Sequence, residues 1–285
     1  MKIILSADKT CDLTEDLREK YQVETMPYHI HLEGKQYIDN EDIHPEDLYR
    51  AYWERKALPK TAAVNMAEYM DYFEKWTSQG YAVIHFCLGS ALTSSYQNCV
   101  LAAGELKNVY VIDSCNLSTA ISLQIMDCRS MIDANTPAEE IYDYFSHNRQ
   151  RYHASFVVDT LEFLVAGGRC SSVAAFGANL LNIKVSIEVD NTSGGMGVGK
   201  KYRGNLQRVL KQYVKDKLSE YPDIVTDKIF ITHSGIDDSY IELVRRTVEE
   251  TMHFEHIYVT QASCTISSHC GPGTLGILSA TENNR

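Results

Sequence analysis

The order of strand-like and helix-like segments constrains the fold of this chain most strongly. Short apolar runs typical of buried strands lie at residues 2–7, 82–88 and 109–113, and amphipathic helical segments lie between them, among them 45–56 and 66–76. Repeated units of this kind predict a parallel sheet with helices on both faces. We therefore expect an α/β protein whose residues 1–150 form an N-terminal parallel-sheet α/β/α domain.

Two local patterns refine this expectation for the first half. Residues 26–39 alternate apolar and polar side chains around a Glu33-Gly34 turn, which predicts a β-hairpin appended to the parallel sheet. Asp12 with Glu15, and Asn65 with Glu68, have the spacing of capping boxes that begin helices.

The sequence of the second half also predicts helices and strands, but in a less regular order. Helices are indicated at 206–218 and 240–252, strands at 155–158, 228–232 and 256–260, and a hairpin at 191–199. We expect residues 151–285 to form a C-terminal α/β two-layer domain, with helices packed on an antiparallel or mixed sheet. Because no long linker separates the halves, a rigid interface with a cleft is expected between them.

Charge and composition exclude several classes of protein. The chain has 27 basic and 38 acidic side chains, a formal net charge of -11, which argues against nucleic-acid binding. Anionic lipids repel such a chain, so only transient membrane contact is expected, and a protein partner is expected to offer a basic surface. The first residues lack a signal peptide's apolar run, which predicts a cytoplasmic protein. The eight cysteines include no CxxC pair and are expected to be reduced core thiols.

Motifs for cofactors, nucleotides and metals are weak. Residues 271–276 match GxGxxG, but only nine residues follow, too few for the helix and acidic residue of a dinucleotide site. No Walker loop is present, so ATP should bind elsewhere. Two histidine pairs lack a matching set of ligands, and solvated histidines are the favoured interpretation for His29, His31, His253 and His256. We expect no metal and no cofactor.

Short polar side chains gather where the predicted strands end. Thr61 precedes a helix, Ser90 to Ser95 follow one strand, and Ser114 follows the next. The carboxyl ends of parallel strands share one crevice, where helix amino termini present free N–H groups. Such a place can bind a carboxylate or phosphate without a cation, although caps and turns explain the same residues equally well.

Several short segments form an ordered set between residues 3 and 278. They are Asp8, Asp12-Leu13, Thr61 after Pro59-Lys60, GSALTSSYQ (89–97), VIDS (111–114), DTLEFLVAGGR (159–169), YRG (202–204), THS (232–234) and HCGPG (269–273). Together and in this order they resemble the DegV family. The resemblance implies a two-domain lipid carrier, without catalysis of its own, that holds a long-chain fatty acid. The carboxylate would lie at the domain cleft and the acyl chain inside the second domain. The partner implied is a separate ATP-dependent fatty acid kinase, which makes an acyl phosphate for phospholipid synthesis.

The resemblance and the strand-end pattern also nominate site residues. Expected carboxylate contacts are Thr61, Thr93, Ser90, Ser94, Ser95 and His269; Thr93 falls on a serine of the family. Expected acyl-chain contacts are Phe163, Leu164, Phe176, Leu180, Leu181 and Ile183. Partner docking or transfer is implied for Arg169, His269 and Arg203. The chain departs from the family pattern at Ala62, Ala63, Val64, Ser94 and Val185. These departures bear mainly on how the fatty acid head group would be bound.

Other interpretations of these residues stay open at this stage. Arg169 could cap the helix before it, and His269 could tether a terminal loop. The chain could instead be a hydrolase or transferase that acts on an acyl or phosphorylated substrate through His269 or His233. A regulatory module with lipid as a structural filler is a third alternative.

Overall fold

The structure, a computed structural model, describes residues 2–176 and 183–282. Within these ranges the helices are α1 Glu15–Lys20, α2 Pro45–Arg55, α3 Met66–Thr77, α4 Ser95–Gly104, α5 Thr119–Asp133, α6 Ala138–Asn148, α7 Glu162–Gly167, α8 Leu206–Glu220, α9 Asp238–Thr251 and α10 Cys264–Cys270. The strands are β1 Ile3–Asp8, β2 Val23–Met26, β3 His29–Leu32, β4 Lys35–Ile38, β5 Lys60–Ala62, β6 Ala82–Cys87, β7 Val109–Asp113, β8 Tyr152–Val157, β9 Ile183–Val189, β10 Met196–Arg203, β11 Lys228–Ser234, β12 His256–Gln261 and β13 Thr274–Ala280.

The first sheet is fully parallel, with strand order β2-β1-β6-β7. Every residue of β6 is buried, as expected for an apolar strand with both of its faces covered by helices. The predicted parallel α/β arrangement of the first half is therefore confirmed.

The predicted hairpin is also present, but it is part of a small antiparallel sheet of order β4-β3-β5. The third strand, β5, adds Thr61 opposite Ile30. This pairing holds Thr61 at a fixed position ahead of α3, because its backbone is part of a sheet rather than a loop.

The second large sheet has six strands in the order β10-β9-β8-β13-β11-β12 and is mixed, since only β11 and β12 run parallel. Helices α8 and α9 bury an apolar cluster against it, and α5 packs on β8 and β13. The mixed alternative for the second half is thus the correct one. Sequence reasoning predicted neither α10 nor the central strand β13.

The two large sheets use separate parts of the chain, residues 3–113 and 152–280. One apolar cluster nevertheless continues through both, and α5 contacts β1 as well as β8 and β13. We propose the division into domains at 1–150 and 151–285, with α5 as the bridging helix. None of the helices in the described ranges is long and apolar enough to cross a membrane.

The two predicted capping boxes differ in outcome. Asn65 Oδ1 accepts the N–H of Glu68 at 3.0 Å, and the Glu68 carboxylate accepts the N–H of Asn65 at 2.8 Å, so this box is confirmed. The box at Asp12 is wrong, because Thr14 caps α1. Asp12 instead accepts hydrogen bonds from Ser118 and from the N–H of Ser263, since its buried carboxylate faces the second half of the chain.

Candidate functional site

A cavity of about 160 Å³ lies where both halves of the chain meet. Its walls come mainly from β5 and the residue after it, from the loop between β6 and α4, and from α10, with single residues from other segments. The lining residues are Tyr28, Thr61, Ala62, Ala63, Leu88, Leu92, Thr93, Ser94, Leu117, Arg169, Met196, Thr265, Ile266, His269 and Cys270. The predicted carboxylate residues Thr61, Thr93, Ser94 and His269 and the predicted docking residue Arg169 therefore lie around one cavity.

Thr61 and His269 form the polar centre of this cavity although 208 positions separate them. The Oγ1 of Thr61 lies 2.9 Å from Nε2 of His269, within hydrogen-bond distance. Burial, and after it the positive charge of Arg169, lowers the pKa of His269 to about 4. The imidazole is therefore neutral near pH 7, and it can share one hydrogen with a hydroxyl or with a ligand oxygen.

Gly167 allows the ring of His269 to take this position. A Cβ at residue 167 would lie 2.2 Å from Nδ1 of His269, closer than any side chain tolerates. Helix α7 ends here, and Gly168 follows in the left-handed conformation with φ 67°. The Gly-Gly pair thus ends the helix, and its first glycine also gives the ring of His269 its space.

The loop after β6 supplies hydroxyls and a helix amino terminus. Thr93 Oγ1 donates to Ser95 Oγ at 3.0 Å and accepts the N–H of Ser95 at 3.1 Å. Ser95 Oγ also accepts the N–H of Val64 at 3.0 Å, and Asn98 donates to the carbonyl of Val64 at 2.7 Å. These bonds hold the 62–65 segment against α4, and they place the positive end of the α4 dipole beside the cavity.

Arg169 is exposed at the edge of the same cavity. Its Nε donates to the carbonyl of Leu92 at 3.3 Å and its Nη1 to the carbonyl of Gly167 at 2.6 Å. No acidic side chain among the described residues forms an ion pair with it, and none of the lining residues is acidic. Among the described lining residues the charged side chain is the cation Arg169, which favours an anion.

The structure does not place every predicted residue at the cavity wall. Ser90 donates its N–H to Asp113 and Ser95 is buried beneath the wall, so neither lines the cavity. The remaining described candidates also lie outside the lining: Phe163 packs on Tyr49 and Tyr52, Leu164 belongs to the core, Ile183 begins β9, and Arg203 ends β10 exposed. Leu180, Leu181 and the side chain of Phe176 lie outside the described residues.

A second, smaller cavity of about 20 Å³ adjoins the first. The two share Leu117, Ile266 and Cys270, and the second continues between α10 and strands β8, β11 and β13. His233 lines it with a buried Nδ1 that has no partner among the described atoms, and burial lowers the pKa of this histidine. His233 and His269 therefore line different cavities.

Sequence reasoning missed several lining residues, chiefly Tyr28, Leu117, Met196 and Thr265. They come from four separate segments of the chain, two of them loops, and nothing in the local pattern of any one segment indicates a cavity. From the sequence, Tyr28 is one apolar position in a segment of alternating apolar and polar residues. In the structure its hydroxyl donates a buried hydrogen bond to Asp8 at 3.0 Å.

Fold and site together define an α/β protein in which a parallel and a mixed sheet enclose a cavity with polar and apolar walls. A sequence model of the DegV family, described as a family of uncharacterised proteins, matches residues 2–282. The chain belongs to the DegV family.

Individual relatives agree over the full length. A DegV domain-containing protein of Clostridium acetobutylicum is 27% identical over 280 residues, 97% of either chain. A fatty acid-binding protein of Thermotoga maritima is 26% identical over 284 residues, 97% of this chain and 96% of that one. The solved structure of a DegV family protein from Thermus thermophilus, described as binding fatty acid, superposes with a TM-score of 0.86 at 25% identity, covering 99% of this chain and 100% of that chain.

Proposed function

We propose that this protein binds a long-chain fatty acid, with the carboxylate beside Thr61 and His269 and the acyl chain among the apolar walls. The observation that carries the proposal is the Thr61–His269 pair, 2.9 Å apart, in a cavity whose lining has no acidic side chain. A carboxylate removed from water is stable only when donors replace its hydration. Thr61, the neutral imidazole, the α4 amino terminus and Arg169 supply such donors and positive charge.

The relatives support the same ligand class. The Thermotoga maritima relative is named a fatty acid-binding protein, and the Thermus thermophilus structure is described by its fatty acid binding. Both align with this chain over nearly its whole length, so the cavity residues lie within the aligned region.

The shared wall of the two cavities gives the acyl chain a direction. We infer that the chain leaves the head-group position past Leu117, Ile266 and Cys270, toward the space under β8 and β13. The side chains predicted from sequence, Phe163, Leu164, Phe176, Leu180 and Ile183, remain our proposal for contacts farther along the acyl chain.

A binding experiment tests the ligand and its orientation. Protein stripped of lipid is titrated with stearic acid and with methyl stearate by isothermal titration calorimetry. We expect the acid to bind at one per chain and the ester, which lacks the charge, to bind at least about tenfold more weakly, because charge-assisted hydrogen bonds are worth about 1.5–3 kcal/mol. Equal affinity for both would contradict a carboxylate site.

A variant pair locates the site. Thr61→Val removes the hydroxyl at nearly constant volume and is expected to weaken stearic acid by about tenfold or more, whereas Thr61→Ser keeps the hydroxyl and should bind within about threefold of wild type. An unchanged affinity in Thr61→Val would place the carboxylate elsewhere.

We further propose that the protein is a non-catalytic carrier that presents its fatty acid to a separate ATP-dependent kinase. Arg169 supports this, because it is exposed at the cavity edge and, in the part of the chain that the structure describes, its hydrogen-bond acceptors are the carbonyls of Leu92 and Gly167. Acyl phosphate should form only when the kinase, ATP and the loaded protein are mixed. With both proteins saturated with fatty acid, Arg169→Ala should slow it at least about tenfold, and Arg246→Ala, an exposed residue of α9, should not. Acyl phosphate made equally fast without this protein would refute the carrier role.

A further inference from the structure

Four side chains with metal-binding chemistry lie inside the parallel sheet, apart from the cavity. They are Asp8 at the end of β1, His85 and Cys87 on β6, and Cys99 on α4, and all four are fully buried. His85 and Cys87 are two residues apart on one strand, so their side chains share a face. Helix α3 covers that face, with the rings of Tyr69 and Phe73 within 6 Å of His85.

The distances among three of these four side chains suit a tetrahedral ion. A nitrogen of His85 and the sulfurs of Cys87 and Cys99 all lie within 4.8 Å of one another. Zinc bonds of about 2.3 Å to sulfur and about 2.0 Å to nitrogen require ligand atoms roughly 3.3–3.8 Å apart, so a small contraction suffices. Asp8 lies outside this group of three; its Oδ1 is 3.2 Å from Nε2 of His85 and accepts the hydroxyl of Tyr69 at 2.7 Å, so it must move toward the sulfurs to complete a tetrahedron.

We propose that His85, Cys87 and Cys99, with Asp8 drawn in as the fourth ligand, bind one thiophilic divalent cation of the Zn²⁺ type. Two sulfurs, one imidazole nitrogen and one carboxylate oxygen are a ligand set that favours zinc over the hard cations Mg²⁺ and Ca²⁺. Among the described residues, no other group of histidine, cysteine and acidic side chains brings three ligand atoms this close.

The surrounding contacts orient the proposed ligands as outer partners do in metal sites. Nδ1 of His85 lies 2.8 Å from Ser6 Oγ, which leaves Nε2 toward Asp8. The other carboxylate oxygen of Asp8 accepts hydrogen bonds from the hydroxyl of Tyr28 and the N–H of Leu88, at 3.0 and 2.8 Å. Such partners fix the rotamers of metal ligands and are part of the affinity.

An ion here would act on the cavity through the elements that it joins. It would tie β1 and β6 to α4, and the segment between β6 and α4 holds the lining residues Leu88, Leu92, Thr93 and Ser94. Tyr28, bonded to Asp8, lines the cavity as well. The role assigned to the ion is therefore structural, fixing the loop before α4.

Because none of the four residues is exposed, the ion must enter while the chain folds. The full chain is unfolded in guanidinium with a phosphine reductant, refolded with one equivalent of Co²⁺, and separated from free metal by gel filtration. We expect about one Co²⁺ per chain by mass spectrometry of the element, with the strong near-ultraviolet absorption of cobalt–thiolate bonds. Protein isolated from cells grown with added zinc should contain about one Zn²⁺ per chain without any refolding.

Matched cysteine variants separate this site from nonspecific binding to thiols. Cys99→Ala should reduce the bound metal at least about tenfold, and Cys128→Ala, which removes an equally buried thiol from α5, should leave it unchanged. Wild-type protein that holds less than about one tenth of an ion per chain by both routes would overturn the proposal. So would a Cys99→Ala protein that retains as much metal as wild type. The failure of this proposal leaves fatty acid binding unaffected, because stearic acid affinity is measured separately.

Discussion

His269 acquires its properties from residues far away in the chain. Burial lowers its pKa, the nearby guanidinium of Arg169 lowers it further, and Thr61 positions its Nε2. The histidine before Gly-Pro-Gly could be nominated by family resemblance, but its neutral state could not, because that depends on packing that the sequence does not display. Family resemblance likewise nominated Thr93, but the sequence does not show that its hydroxyl hydrogen bonds to Ser95.

Gly167 is predicted to control the position of His269. In Gly167→Ala the new Cβ would lie 2.2 Å from Nδ1 and must displace the ring, so we expect stearic acid to bind at least about tenfold more weakly. Gly168→Ala is the matched control, because no atom lies within 4 Å of its Cβ. It should cost about 1 kcal/mol of stability from its positive φ and leave the affinity within about threefold. Equal losses of affinity in both variants would refute this role for Gly167.

The lowered pKa of His269 predicts a pH dependence of stability. The unfolded histidine binds a proton below pH 6.5 and the folded one only near pH 4, so stability is complete above pH 6.5 and is lost as the pH falls toward 4. Urea unfolding between pH 7 and 4 should show wild type losing about 2 kcal/mol more than His269→Gln, after allowance for partial exposure. Parallel curves for the two proteins would mean that His269 is not buried as a neutral group.

Helix α10 joins the two halves and carries much of the cavity wall. Its first residues are held from the N-terminal half: Asp12 accepts the N–H of Ser263, and Asp39 accepts the N–H groups of Cys264 and Thr265. Desolvation by burial raises the pKa of both carboxyls, to about 7 for Asp12. Spacing made Asp12 look like a cap for α1, because the sequence cannot show that a helix more than 250 residues away needs the same carboxylate.

Strand β13 shows a second limit of sequence reasoning. Residues 271–276 match GxGxxG near the end of the given sequence, and nothing in their local pattern predicts a central strand. Strand β13 nevertheless lies centrally between β8 and β11, and Gly276 is required there, because a Cβ would lie 2.4 Å from the carbonyl oxygen of Ser155. Elements with a clear period, such as β7 and α2, were predictable because each depends mainly on its own residues.

Loss of the Asp39 carboxylate should loosen α10. Asp39→Ala removes the acceptor of the N–H and hydroxyl of Thr265 and one of the two acceptors of the Cys264 N–H, the other being Asn40, which we expect to cost about 3 kcal/mol in urea unfolding. The affinity for stearic acid should fall as well, because α10 carries Ile266 and His269. Asp42→Ala, an exposed carboxylate of the same loop that accepts only the N–H of Ile38, should cost less than about 1 kcal/mol. Comparable losses in the two variants would contradict the importance of the Asp39 contacts.

The packing of the whole chain explains why local sequence patterns could not predict the cavity. The alternation of strands and helices predicted a parallel sheet, which the structure confirms, and an antiparallel or mixed second sheet, which the structure shows to be mixed. The cavity, by contrast, forms only when β5, the loop before α4, the end of α7 and α10 meet. Family resemblance nominated Thr61, Thr93, Arg169 and His269 as site residues. That Tyr28, Leu117 and Met196 also line the cavity could be seen only in the folded chain.

A ligand held between the two halves should stabilise the molecule as a unit. Stearic acid at about 100 times its dissociation constant is expected to add about 2.7 kcal/mol to the free energy of unfolding, which raises Tm by about 5 °C for a chain of this size. Differential scanning calorimetry should show this shift in wild type and a smaller one in Thr61→Val at the same concentration. A shift of equal size in both proteins would indicate binding away from Thr61.

Native mass spectrometry of the protein purified without added lipid tests fatty acid binding most directly. We predict one bound ligand per chain, released on denaturation and identified as a long-chain fatty acid, with its length and unsaturation read from the released mass. A protein that emerges empty, and that takes up no member of a panel of fatty acids after delipidation, would contradict the proposal. Residues 62–64 and Ser94, where this chain departs from the family pattern at the cavity wall, would then be the place to seek the reason.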